Sequence, residues 1–160
     1  MGINVKKAVA VAAVFFLASV VVLMIFFNPF QKKNITDFEI VTVRESDMRA
    51  VREYEIVRVG DESTLSVYSI SYIEDSGRQL EKSAVLGADE VIGRLNEFGL
   101  IGWDGFRGAH PKNVSDGTMF TLNAVVNGGE KISASGSENF PRHYLDFVRW
   151  MRETLYQAQP

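Results

Sequence analysis

The chain has no cysteine, only two histidines and only four prolines in 160 residues. The missing cysteine excludes disulfides, thiol nucleophiles and cysteine metal sites, and by itself assigns no compartment. His110 and His143 stand apart, with no second histidine or acid at ligand spacing, so neither reads as a metal ligand and no metal or other cofactor is expected. The G-K-[ST] of a phosphate loop and the G-x-S-x-G of a nucleophile elbow are also absent. There is no useful repeat and no low-complexity segment.

Charge is missing from one long stretch. Ala8 to Phe27, AVAVAAVFFLASVVVLMIFF, runs 20 residues with none. As a helix it would span about 30 Å, the hydrocarbon thickness of a bilayer. Lys6 and Lys7 precede it, and Asn28-Pro29 and then Lys32 and Lys33 follow. The run is too long for a typical signal-peptide core and has no clean A-x-A site after it, so an uncleaved signal-anchor is expected. Lys6 stands where a myristoylation signal needs Ser or Thr, which excludes lipidation at Gly2. The expected layout is a short cytoplasmic tail over residues 1–7, a single transmembrane helix over 8–27, a juxtamembrane linker over 28–36 and a soluble domain over 37–160. Lysines flank the span almost evenly, and the short leading tail places the domain outside the cytoplasm. The bilayer is thus the first expected partner.

The rest is acidic. Four of the 17 basic residues flank the span and all 20 acids follow it, leaving 13 bases against 20 acids, a net charge of −7 with histidine neutral. Such a domain repels phosphate backbones, so nucleic acid is excluded as a partner.

Within it, DFEIVTVRE, REYEIVRVG, TLSVYSISYIED and RQLEKSAVL read as strands. In the third, Tyr68, Ile70 and Tyr72 alternate with Ser69 and Ser71, the period of a half-buried strand. ADEVIGRLNEFG changes period: Val91, Leu95 and Phe98 form one helical stripe, Asp89 and Glu90 suit its first turn, and Gly99 suits the C′ position. TMFTLNAVV and KISASG alternate again around Asn127-Gly128, a hairpin turn. Tyr144, Val148, Met151 and Leu155 stripe a final helix. The expected fold is α+β: an antiparallel sheet with two helices packed on one face.

Gly99, Gly102, Gly105 and Gly108 fall three apart in GLIGWDGFRGAHPKNVSDG. The dinucleotide fingerprint needs another spacing and a following helix. The nucleic-acid GXXG loop is matched by IGWDGF, but Asp104 would oppose the phosphate. A packed turn remains, with Trp103 and Phe106 folded onto the core edge. Asn139 is expected to cap the last helix, with Pro141 in its first turn and Gly136 easing the exit from the strand. Asn34-Ile35-Thr36 and Asn113-Val114-Ser115 match the glycosylation acceptor pattern.

WDGF followed by NVSDGTMFTLNAVVNGGEKISASGSENFPRHYLDF resembles a C-terminal pattern of small secreted or membrane-anchored prokaryotic proteins. It runs W-x-G-F, D-G-x-x-F-x-L, an inner glycine turn, and G-S-x-N-x-P before a terminal helix. Trp103, Gly105, Phe106, Asp116, Gly117, Gly136, Asn139 and Pro141 carry the likeness, and Glu138 is the residue that varies. The resemblance implies anchoring or secretion and brings no established activity with it. The expected function is therefore an extracytoplasmic, non-catalytic binding or scaffolding domain at the cell membrane, facing a protein or another cell-envelope partner. Trp103, Asp104, Phe106, His110, Asp116 and Asn139 would form its surface. The alternative is a cell-envelope hydrolase using acids of the 104–116 loop, such as Asp104 and Asp116.

Overall fold

The computed structural model describes residues 33–48, 50–71, 77–112, 114 and 117–158. The expected span over 8–27 lies outside them, as do Asn113, Ser115 and Asp116. Among the described residues no helix is long and apolar enough to cross a membrane. All of them except Lys33 belong to one compact unit, Asn34–Pro160.

Alternating apolar residues form β1 (Phe38–Ser46), β2 (Val51–Val59), β3 (Glu62–Ile70) and β4 (Arg78–Gly87), and after helix α1 (Ala88–Phe98) and a 3-10 turn (Leu100–Trp103) come β5 (Arg107–Gly108), β6 (Met119–Val126), β7 (Glu130–Ser137) and helix α2 (Tyr144–Gln157). The seven strands make one sheet in the order β4-β3-β2-β1-β6-β7-β5. The sheet is mixed rather than antiparallel throughout, because the two-residue β5 pairs parallel to β7. Nothing in the alternation of the loop marks so short a strand.

Cross-strand rows define the inner face. Lys82, Val67, Tyr54 and Val43 stand in one row, and Arg52, Glu45, Phe120 and Gly136 in the next. The inward residues join Val91, Leu95 and Phe98 of α1 and Tyr144, Phe147, Val148, Met151 and Leu155 of α2 in one apolar cluster. The helices therefore share a face, as the two stripes require. The opposite face carries Arg78, which bridges Glu53 and Glu55 at 3.0 Å each and lies 3.4 Å from the Tyr68 ring centroid.

Gly99 ends α1 with φ of 73°, a left-handed conformation that any side chain would strain. The chain's entry is also fixed. Ile35 is buried, and Asn96 binds its backbone from both sides, accepting its N–H at 2.8 Å and donating to its carbonyl at 2.7 Å. Asn127, at the hairpin turn before Gly128, accepts from the backbone N–H of Thr36 at 2.8 Å and donates to the Asn34 carbonyl at 3.1 Å. The domain's own packing thus takes in the last residues of the 28–36 stretch.

Candidate functional site

The glycine-rich loop is held from within. Trp103 is 3% exposed, and its indole N–H donates to the Arg142 carbonyl at 3.0 Å. Its ring meets Tyr144 and Phe147 at centroid distances of 5.9 and 5.6 Å, whereas Phe106 packs on Phe120 at 6.3 Å. The two aromatics of the loop thus serve different neighbours. Asp104 accepts the backbone N–H of Ser133 at 3.0 Å, and Gly105 donates its N–H to the Ser133 carbonyl at 3.0 Å. Arg107 reaches the carbonyls of Phe106 and Ser133 at 2.7 and 3.1 Å. These bonds dock the loop beside β7.

His110 is bound on both nitrogens, at 2.7 Å from the Val114 carbonyl and 2.7 Å from the Ser137 hydroxyl. A carbonyl only accepts, so Nε2 carries a proton, and in the neutral ring Nδ1 accepts from Ser137. Hydroxyl and imidazole are two parts of a nucleophilic arrangement, but a backbone carbonyl stands where a carboxylate would orient the ring. Asp104 and Glu138 do not converge on a common site either. Glu138 accepts the Thr118 backbone N–H and returns its own N–H to the Thr118 carbonyl at 3.0 Å, passing over Gly117, where a Cβ would strike it.

The expected cap at Asn139 is corrected. The N-cap of α2 is His143, at φ of 65° and without a side-chain cap bond. Asn139 is exposed, and among the described residues its side-chain amide makes no hydrogen bond. Its main-chain oxygen is the part that is closely packed. Gly108 and Gly136 face each other across the β5–β7 pair, and a Cβ on either would collide with that oxygen. Glu138, at φ of 49°, lies outside the ordinary backbone range, as His143 does. Pro141 is buried and lies before the helix, its carbonyl accepting from the Tyr144 N–H at 3.1 Å to form the turn that leads in.

The polar cluster with open space around it lies elsewhere. Glu45 continues the inward parity of Val41 and Val43, so the sheet directs a carboxylate under α2. Its side chain is 11% exposed. The Tyr144 hydroxyl donates to it at 3.2 Å and Arg152 at 2.6 Å, while the Arg152 Nε donates to the Tyr54 hydroxyl at 3.0 Å. Burial, and then the neighbouring Glu45 carboxylate, hold the Tyr144 hydroxyl far above the usual tyrosine range. Burial works against the charge of Arg152, but the Tyr54 hydroxyl and Glu45 outweigh it and raise its pKa. This anchored guanidinium borders three hollows. The first, about 490 Å³, is lined by Arg52, Tyr54, Val67, Glu81, Lys82, Arg152, Leu155 and Tyr156. A smaller one of about 70 Å³ holds Glu45 and Arg52, and a third of about 450 Å³ lies toward Glu138, Phe140 and Arg149.

None of these cluster residues is among the expected site residues. A signal was present: Glu45 and Arg52 extend the core-facing parities of Val41/Val43 and Tyr54/Ile56, and Arg152 sits between Val148 and Leu155 at helical spacing. Among the described residues no group of three or more histidines, aspartates or glutamates could hold a metal ion.

No family model, curated protein or solved structure matches the chain.

Proposed function

We propose that the chain is a single-pass membrane protein, anchored by residues 8–27, whose extracytoplasmic α+β domain binds or scaffolds a partner without chemical turnover. The anchor rests on the uncharged run from Ala8 to Phe27, long enough to cross the hydrocarbon. The binding reading rests on one observation before the others: Arg152 is fixed by Glu45 and Tyr54 at the border of open hollows. A preorganised guanidinium is a recognition element for oxyanions.

This moves the recognition surface from the glycine loop to the cleft beneath α2. Among the described loop residues, Asp104 and Arg107 are engaged with backbone and His110 with the Val114 carbonyl and the Ser137 hydroxyl, so these groups serve the fold. The hydrolase reading draws no support from Asp104, whose carboxylate is bonded to the Ser133 N–H.

Extraction tests the anchor. Membranes from expressing cells are washed with high salt and then with alkaline carbonate. The full chain stays in the pellet through both washes and leaves only with detergent. Release by either wash contradicts a transmembrane anchor.

A further inference from the structure

We propose that the 490 Å³ cleft between β2, β3, β4 and the end of α2 binds a small amphiphile, taking its acid group among Arg52, Lys82 and Arg152 and its apolar part along Val67, Leu155 and Tyr156. This ligand class deepens the binding function already proposed and rests on it.

Charge is the first ground. Three bases and one acid, Glu81, line the cleft, and with Glu45 paired to Arg152 behind it a net charge of +1 remains. The segment after Lys33 carries 13 bases against 20 acids. A local positive excess in an acidic domain concentrates anions.

The second ground is unused donors. Arg152 spends its Nε on Tyr54 and one terminal nitrogen on Glu45. Its other terminal nitrogen has no protein acceptor among the described residues. The side chains of Arg52 and Lys82 likewise make no hydrogen bond or ion pair among them.

The third is how Lys82 comes to face inward. Val67 pairs with Lys82 but Tyr68 pairs with Leu80, so Glu81 is an extra residue in β4. That bulge sets the side of the sheet on which Lys82 stands. An inward charge also discourages another strand from adding to the β4 edge. Without the bulge, alternation from Leu80 would turn Lys82 to the outer face.

The fourth is the apolar half. Val67 is 8% and Leu155 4% exposed, and Tyr156 is 86% exposed at the cleft. A cleft of this volume suits a small molecule rather than a folded partner. A guanidinium held in place and an apolar floor together select an acid joined to a hydrocarbon or aromatic group.

The test uses the full chain in nanodiscs of zwitterionic lipid. Binding of 4-phenylbutyrate and of its neutral counterpart 4-phenylbutanol is measured by equilibrium dialysis against empty nanodiscs. The acid binds saturably and at least about tenfold more tightly than the alcohol, as expected when charged hydrogen bonds hold it. Arg52→Gln and Lys82→Gln each weaken the acid about threefold to tenfold, and the double variant loses it. Neither side chain has a polar partner among the described residues, so both variants melt like the parent. Equal binding of acid and alcohol, or undiminished acid binding by the folded double variant, overturns the proposal.

Replacing part of the lipid with phosphatidylglycerol separates two sources of the same chemistry. Displacement of the acid in the parent assigns the cleft to a lipid headgroup, and no displacement assigns it to a soluble amphiphile. Both results uphold acid recognition by the cleft. Failure of the acid to bind a chain that still resists alkaline extraction removes the ligand class and leaves the anchored binding domain standing.

Discussion

The main-chain oxygen of Asn139 occupies the space that a Cβ on Gly136 would fill. The same oxygen bars a side chain at Gly108, the residue paired with Gly136 across β5 and β7. Three chain segments therefore meet where only glycine lets backbone approach backbone this closely. Gly136→Ala must push the Asn139 segment or the strand aside, and overpacking of this kind costs about 1–3 kcal/mol. Asn139→Ala keeps the oxygen and removes only an exposed amide, so its effect stays within about 0.5 kcal/mol. Thermal melts of the two variants in mild detergent check the contrast. A destabilised Asn139→Ala beside a parent-like Gly136→Ala would return the residue to a capping role.

Tyr144 predicts a loss of stability at high pH. Its hydroxyl is held neutral in the fold by burial and by Glu45, while in the unfolded chain it ionises near the ordinary value of about 10. A raised folded pKa means that the folded state binds more protons there once the pH exceeds the unfolded value. The contribution is complete below about pH 10 and falls as the pH climbs above it. Denaturant titrations from pH 8 to 11 follow the slope. Tyr144→Phe flattens it and costs about 1 kcal/mol at neutral pH for the lost hydrogen bond to Glu45. An unchanged alkaline slope in Tyr144→Phe contradicts this assignment.

Ser137 and His110 provide the sharpest check on the proposal of binding without turnover. They sit 2.7 Å apart, and the other ring nitrogen is spent on the Val114 carbonyl. With a backbone carbonyl rather than a carboxylate behind its base, Ser137 is expected under the proposed function to behave as an ordinary hydroxyl. A fluorophosphonate probe should leave Ser137 unlabelled by peptide mass spectrometry. Labelling that disappears in His110→Ala would reveal an activated nucleophile and revive the hydrolase reading.

The regular elements are legible in the sequence wherever burial imposes a period. Val41 and Val43, Leu122 and Ala124, and the stripes Val91-Leu95-Phe98 and Tyr144-Val148-Met151-Leu155 all face the core. Gly99 is legible because few residues besides glycine end a helix with positive φ. The features the sequence hides depend on backbone meeting backbone. The slot for the Asn139 oxygen, the parallel pairing of Arg107 with Ser135 and the extra residue at Glu81 leave no period to read. The cleft is half visible. Glu45 and Arg52 carry charge in core-facing parity, a pattern that calls for partners, but the partner Arg152 is 107 residues from Glu45 along the chain.

Topology across the membrane is the most direct test of an anchored extracytoplasmic domain, and the natural lack of cysteine makes it clean. Lys131→Cys introduces a single thiol on the exposed β6–β7 hairpin, and Asn4→Cys places one before the expected span. Intact cells expressing each variant are treated with a membrane-impermeant maleimide, before and after permeabilisation. Position 131 is labelled in intact cells, and position 4 only once the membrane is opened. The reverse pattern, or access to both positions only after permeabilisation, contradicts the placement of the domain outside the cytoplasm.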